Sequence, residues 1–248
     1  MAYYRRRGFK RRRVSYGGRR YRRRWQRRRP FRRFRRYLTA AAIGRPERKF
    51  EDTQLAGPLP QVATGVTPLL LTGVAEGTDN NERIGRRILL TNLQIRLSLE
   101  GVKVNAANSN STVVRILMVM DTQTDAALGA SPTLDDVLDL STFNIHAYND
   151  LQIQGSRRFR ILWDKRFIQG LTFNTPQGGV VYPDASPRVN TIHNYYKKMR
   201  KQLYYNGNDA TGASVGKNAI WLFLFQQDAI TAALVNINGV ARIRYTDV

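Results

Sequence analysis

The stretch from Arg87 to Glu100, R-I-L-L-T-N-L-Q-I-R-L-S-L-E, decides how the chain folds. Leu89, Leu93, Ile95, Leu97 and Leu99 fall on one parity, and Asn92, Gln94, Arg96 and Ser98 on the other. An alternation of period two is the signature of a strand with one buried and one wetter face. The closing segment repeats it: Val235, Ile237, Ala241, Ile243 and Tyr245 share one parity, against Asn236, Asn238, Arg242 and Arg244. Thr112 to Met120 is apolar on both parities apart from Arg115, which predicts a strand buried between layers. Ala219 to Gln226 alternates Trp221, Phe223 and Phe225, and Thr191 to Tyr205, with four tyrosines, predicts a long strand.

Between these segments the reading is coarser. Phe50 to Val74, rich in Gly, Pro and Thr, predicts one extended strand with irregular approaches, and Gly77 to Asn81 a turn. Ser131 as cap, Pro132 at the first position and Leu134, Val137 and Leu138 at helical spacing predict a short helix to about Leu140. Arg157 to Trp163 and Phe167 to Phe173 are expected as two strands joined near Asp164-Lys165. Asn105 to Ser111, Thr175 to Pro187 and Gly207 to Gly216 are expected as loops at subunit contacts or on an outer surface. About eight strands with unequal connections and no repeat predict an all-β fold, an eight-stranded antiparallel jelly roll.

The amino-terminal segment cannot join that fold. Arg5, Arg6, Arg7, Arg11, Arg12, Arg13, Arg19, Arg20, Arg22, Arg23, Arg24, Arg27, Arg28, Arg29, Arg32, Arg33, Arg35 and Arg36, with Lys10, carry a charge of +19, and Glu47 is the first acidic residue. Such a block buries no core and is expected to be disordered when free. Its aromatic spacers Tyr16, Tyr21, Trp25, Phe31 and Phe34 alternate with the guanidinium groups. Arginine grips phosphate in a planar fork and rings stack on unpaired bases, so the expected partner is single-stranded nucleic acid. Lys197, Lys198, Arg200 and Lys201 are candidates for an additional basic surface facing the same cargo. Residues 1–46 are therefore expected to be a nucleic-acid-binding arm and tether, and 47–248 the folded domain.

Beyond the arm the charge is ordinary: 20 of the 41 basic residues lie in positions 1–46, and the remaining 21 face 18 acidic ones. This argues against a ribosomal protein or a protamine-like chain. No apolar stretch is long enough to span a bilayer, and no apolar segment follows the arginine block as in a signal peptide, so no membrane partner is expected. The chain has no cysteine, which removes disulfides and thiolate metal sites. His146 and His193 lack metal spacing, and Asp121, Asp125, Asp135, Asp136 and Asp139 lack the EF-hand spacing. Gly212 to Lys217 ends in Asn218 where a phosphate loop needs Ser or Thr. No enzyme, cofactor or metal is expected.

Four segments in order carry a family resemblance. They are G-T-D-N-N-E-R-I-G at Gly77 to Gly85, running into R-R-I-L-L-T-N-L-Q-I-R; V-R-I-L-M-V-M-D-T-Q at Val114 to Gln123; R-F-R-I-L-W-D-K at Arg158 to Lys165; and R-I-R-Y-T-D at Arg242 to Asp247. Together they resemble the capsid proteins of circular single-stranded DNA viruses, the circovirus and geminivirus group. The arm resembles the circovirus version and the strand motifs the geminivirus-like coats, without the Cys/His set proposed there to bind zinc. The resemblance implies a shell of roughly 60 copies with T=1 icosahedral symmetry and an arm turned inward on a single-stranded DNA genome. It implies further a nuclear localisation signal in the arm read by a host import receptor, residence in the virion and host nucleus, and a host cell-surface receptor of unknown identity. The alternatives are a cellular nuclear nucleic-acid-binding protein with an arginine-rich tail and, more remotely, a jelly-roll lectin or hydrolase.

Overall fold

The computed structural model describes residues 47–61, 65–103, 111–122, 131–139, 145–148, 158–173, 190–227 and 235–248, all within the compact unit Glu47–Val248. The arm, the segment Leu38 to Ile43, and the loops 105–110 and 175–187 lie outside the described residues. The described residues form ten strands: β1 Arg48–Pro58, β2 Leu69–Leu70, β3 Arg87–Lys103, β4 Ser111–Asp121, β5 Phe159–Gly170, β6 Thr172–Phe173, β7 Asn190–Tyr205, β8 Val215–Lys217, β9 Ala219–Gln226 and β10 Val235–Asp247.

Two sheets hold them. One runs in the order β1-β10-β3-β7-β8, with β6 added to β3, and the other in the order β2-β9-β4-β5. Every pairing is antiparallel except β3 with β6. The chain crosses between the sheets from β1 to β2, β2 to β3 and β3 to β4, turns back within the second sheet at β5, and crosses again to β7, β9 and β10. That is the jelly-roll arrangement the alternation predicts.

The parity of β3 fixes the sandwich. Leu93, Ile95, Leu97 and Leu99 are buried, opposite Ile243, Ala241, Gly239 and Ile237 of β10. Gly239 is required there, because a Cβ would lie 2.4 Å from the Arg96 carbonyl oxygen and 2.7 Å from Leu97 Cα. Leu89 departs from the expected face. A bulge between Leu90 and Asn92 lets Thr91 take up one extra position, so Ile88 and Leu90 point inward and Leu89 turns outward, half-buried. Thr91 is held by its hydroxyl, which donates to the Arg244 carbonyl at 2.8 Å.

The central strands of the second sheet, β4 and β9, are buried on both faces. Val114, Ile116 and Met118 of β4 face the first sheet. On the other parity Arg115, Leu117 and Val119 pair with Phe225, Phe223 and Trp221 of β9. That outer face is covered by the segment bearing Leu134, Val137, Leu138, Ile145 and Ala147, all part of the core. Arg115 locks the cover down: it is 1 % exposed, binds Asp164 in a two-pronged pair at 2.9 Å, and donates to the Ile145 and Ala147 carbonyls.

Four local expectations change. The 131–139 segment makes a single turn, with the Leu138 amide donating to Leu134 at 2.9 Å, rather than a helix. Thr133, not Ser131, is the capping position, bonded to Asp136 through amide and hydroxyl, and the Asp139 amide goes to Tyr148, which ends the turn. The expected pair of strands at 157–173 is one strand, β5, because Asp164 and Lys165 continue the ladder with Leu117 and Ile116 instead of turning; Thr172–Phe173 is a separate short pairing. The expected single strand at 50–74 is β1, which begins at Arg48 and ends at Pro58, plus the two residues of β2. The turn at Gly77 stands, closed by the Gly77 amide on the Arg83 carbonyl at 3.0 Å. Arg83, fully buried, staples it by donating to Val74, Gly85 and Gly207 carbonyls and to Glu76, with Tyr205 beneath at 4.2 Å.

Candidate nucleic-acid interface

The first sheet has an outward face with no covering segment among the described residues. Strand geometry puts alternate residues there: Phe50 and Asp52 from β1, Arg242 and Arg244 from β10, Arg96 and, past the bulge, Arg87 from β3, and Asn194, Tyr196, Lys198, Arg200 and Tyr204 from β7. With Arg48, and with Lys217 of β8 opposite Tyr204, the described face carries eight cations against two carboxylates, Asp52 and Glu100.

One of those carboxylates is spent locally. Asp52 takes Arg242 in a two-pronged pair at 2.6 and 2.5 Å, which raises the Arg242 pKa above its already high ordinary value. Arg242 also lies 4.5 Å over the Phe50 ring, and Arg87 lies 5.3 Å over Tyr204. Arg48, Arg87, Arg96, Lys198, Arg200 and Arg244 make no ion pair among the described residues. Phe50 at 42 % and Tyr196 at 56 % exposure offer aromatic surface to solvent. Forked cations beside exposed rings on a rigid sheet are suited to phosphate and unpaired bases.

The four β7 cations expected to act together are divided by the strand's alternation. Lys198 and Arg200 are exposed on the outward face, whereas Lys197 and Lys201 share the opposite parity with His193 and Leu203 and are half-buried. Sequence reasoning left Arg48, Arg87, Arg96, Tyr196, Arg242 and Arg244 out of the candidate site. The wet parities of β3 and β10, which carry Arg96, Arg242 and Arg244, were the available signal; that those strands lie side by side was not written in either one. The arm's nineteen cations lie outside the described residues.

The remaining candidates serve the fold. Asp121 is buried and paired with Arg158 at 2.9 Å, and Asp136 caps the turn at Thr133; Asp125 lies outside the described residues. His193 sits between the sheets, its ring 4.2 Å from Phe167 and its Nδ1 3.3 Å from Lys165 Nζ. Burial first, and the Lys165 charge second, lower its pKa below the usual histidine value. Among the described residues no group of three or more His, Asp or Glu is placed to hold a metal, and no helix is long and apolar enough to cross a membrane.

No curated protein matches the chain. Among protein families, the model of the satellite tobacco necrosis virus coat protein matches residues 53–248, which takes in nearly all of the β sandwich. The family is named for a satellite virus and not for the circular DNA viruses that the motifs resemble, so it carries the coat-protein class and leaves the kind of genome open. With a jelly roll, a cationic sheet face and a match over most of its length, the chain belongs to the satellite tobacco necrosis virus coat protein family and is a viral coat protein, a structural component of the virion that assembles with copies of itself around nucleic acid.

Proposed function

We propose that this coat protein closes into a T=1 icosahedral shell of roughly 60 copies and packages a circular single-stranded DNA through the arm from Arg5 to Arg36. The observation that carries this reading is the arm's +19 charge, uninterrupted by any acidic residue before Glu47 and interleaved with aromatic rings. Neutralisation by arginine alone would serve any polyanion; the rings favour unpaired bases over duplex. Roughly 60 arms of 19 charges supply on the order of a thousand positive charges, enough to neutralise a similar number of phosphates.

The cationic face of the first sheet adds to the same reading as a second basic surface, with Arg48, Arg87, Arg96, Lys198, Arg200 and Arg244 among its exposed cations. The same arginine-rich segment supplies the cluster that a nuclear import receptor reads, which would place the protein in the host nucleus during assembly. Entry into a cell would need a surface receptor as a further partner.

The test is to purify particles of the full chain from cells that also replicate a circular DNA, and to extract their contents. Particles of one small size holding nucleic acid that is removed by deoxyribonuclease and by single-strand nuclease are expected. Contents removed only by ribonuclease, or particles that hold nothing, would overturn the proposal.

A further inference from the structure

The outward face of the first sheet contains a shallow cleft of about 480 Å³ lined by Gln94, Arg96, Asn194, Tyr195 and Tyr196. The geometry points to this cleft as a seat for one unpaired nucleobase with its phosphate, a fixed contact distinct from the arm; the inference rests on the nucleic-acid reading above.

Four observations carry it. The residues come from adjacent strands in direct register, Gln94 opposite Tyr196 and Arg96 opposite Asn194, so their spacing is set by the ladder and not by side-chain flexibility. Tyr196 is 56 % exposed at the edge of the cleft, an aromatic ring with no partner ring among the described residues and room to stack on a base. Arg96 is exposed and is positioned by its neighbour: with the Gln94 amide turned so that its oxygen faces the guanidinium, that oxygen accepts from Nε and Nη2 at 3.0 Å each, leaving the far edge of the fork for a phosphate. Gln94 and Asn194 supply amide donors and acceptors of the kind that meet a base edge, and no carboxylate lines the cleft.

The floor is also rigid. Tyr195, next in sequence to the stacking ring, points the other way, stacks on Trp163 of the opposite sheet at 4.9 Å, and donates its hydroxyl to the Leu162 carbonyl. The sandwich therefore holds β7 fixed at this point. The nearest carboxylate along the row, Asp52 by way of Arg242 opposite Gln94, is already paired and does not oppose an incoming phosphate.

The experiment uses assembled particles of the full chain with their packaged nucleic acid. They are irradiated with ultraviolet light and digested with nuclease and trypsin, and nucleotide adducts are mapped by mass spectrometry. An adduct on Tyr196, in the peptide ending at Lys197, is expected in the wild type. Arg96→Gln should reduce it about tenfold, and Arg96→Lys less, at unchanged nucleic acid per particle, because the arm still holds the bulk of the cargo. Gln202→Asn on the same strand should leave it unchanged. Adducts confined to arm peptides, or Tyr196 joined to a neighbouring chain, would overturn the cleft while leaving packaging intact. Particles without nucleic acid would overturn the packaging reading itself.

Discussion

Arg115 and Arg83 show what a buried guanidinium does in this chain. Each is withdrawn from water and each satisfies carbonyls from segments far apart in sequence, Ile145 and Ala147 for the first, Val74 and Gly207 for the second. Breaking such a site leaves several acceptors unpaired at once, so Arg115→Ala should lower unfolding stability by about 3 kcal/mol and make the 145–148 segment newly sensitive to protease. Arg83→Lys should behave similarly in denaturant titration, because a single ammonium cannot span the same fork of partners. His193 gives a pH effect whose sign is fixed by its environment. Its pKa in the folded chain is lowered, so the unfolded chain takes up the proton first as pH falls below about 6.5. Stability from this residue is present above that pH and is lost as pH falls from there towards the folded pKa; His193→Gln should flatten that part of the stability-pH curve.

At the scale of the element, β3 is the discriminating case. Its alternation places Leu97 in the core and Ser98 outside, and the structure agrees, with Leu97 at 2 % exposure and Ser98 bonded to the Asn238 carbonyl on the outer face. Leu97→Asp should cost about 4 kcal/mol or abolish folding, and Ser98→Asp under about 1 kcal/mol. The bulge makes a sharper comparison. Strict alternation puts Leu89 inside, whereas the bulge puts Leu90 there and leaves Leu89 outside. Leu90→Asp should therefore prevent folding and Leu89→Asp be tolerated, as read by circular dichroism and denaturation midpoint; the reverse result would remove the bulge.

For the whole molecule, deleting residues 1–37 should leave the sandwich folded, since the described core runs from Leu55 to Tyr245, and should abolish packaging and nuclear entry of a fluorescently tagged chain. With the arm present, nucleic-acid binding should weaken steeply with salt, and Trp25→Ala with Tyr21→Ala and Phe31→Ala should cost single strands more affinity than duplex. A truncated chain that packages at wild-type levels with the same salt slope would defeat the arm's assigned role. Protease treatment of intact particles should spare the arm and cut exposed loops such as 208–211, where Gly207 and Asn208 are anchored by Arg83 and the Glu76 amide but the tip is open.

Much of this was legible in the chain because strand burial is a local, period-two property. Leu93, Ile95, Ile243 and Tyr245 announce their faces without knowledge of any neighbour, and so do the strands at Thr191 and Ala219 and the charge of the arm. The tertiary structure alone decided what depends on residues distant in sequence. An extra residue at Thr91 reverses the parity of Leu89 because two flanking strands accept the bulge. Asp164 continues β5 because Arg115 holds it, and the turn at Leu134 stops where Tyr148 claims the next amide. The cationic face itself exists only because hydrogen bonding sets β1, β10, β3 and β7 side by side. Each of those strands carries a few scattered arginines or lysines, and only register brings Arg244, Arg96, Lys198 and Tyr196 onto one face.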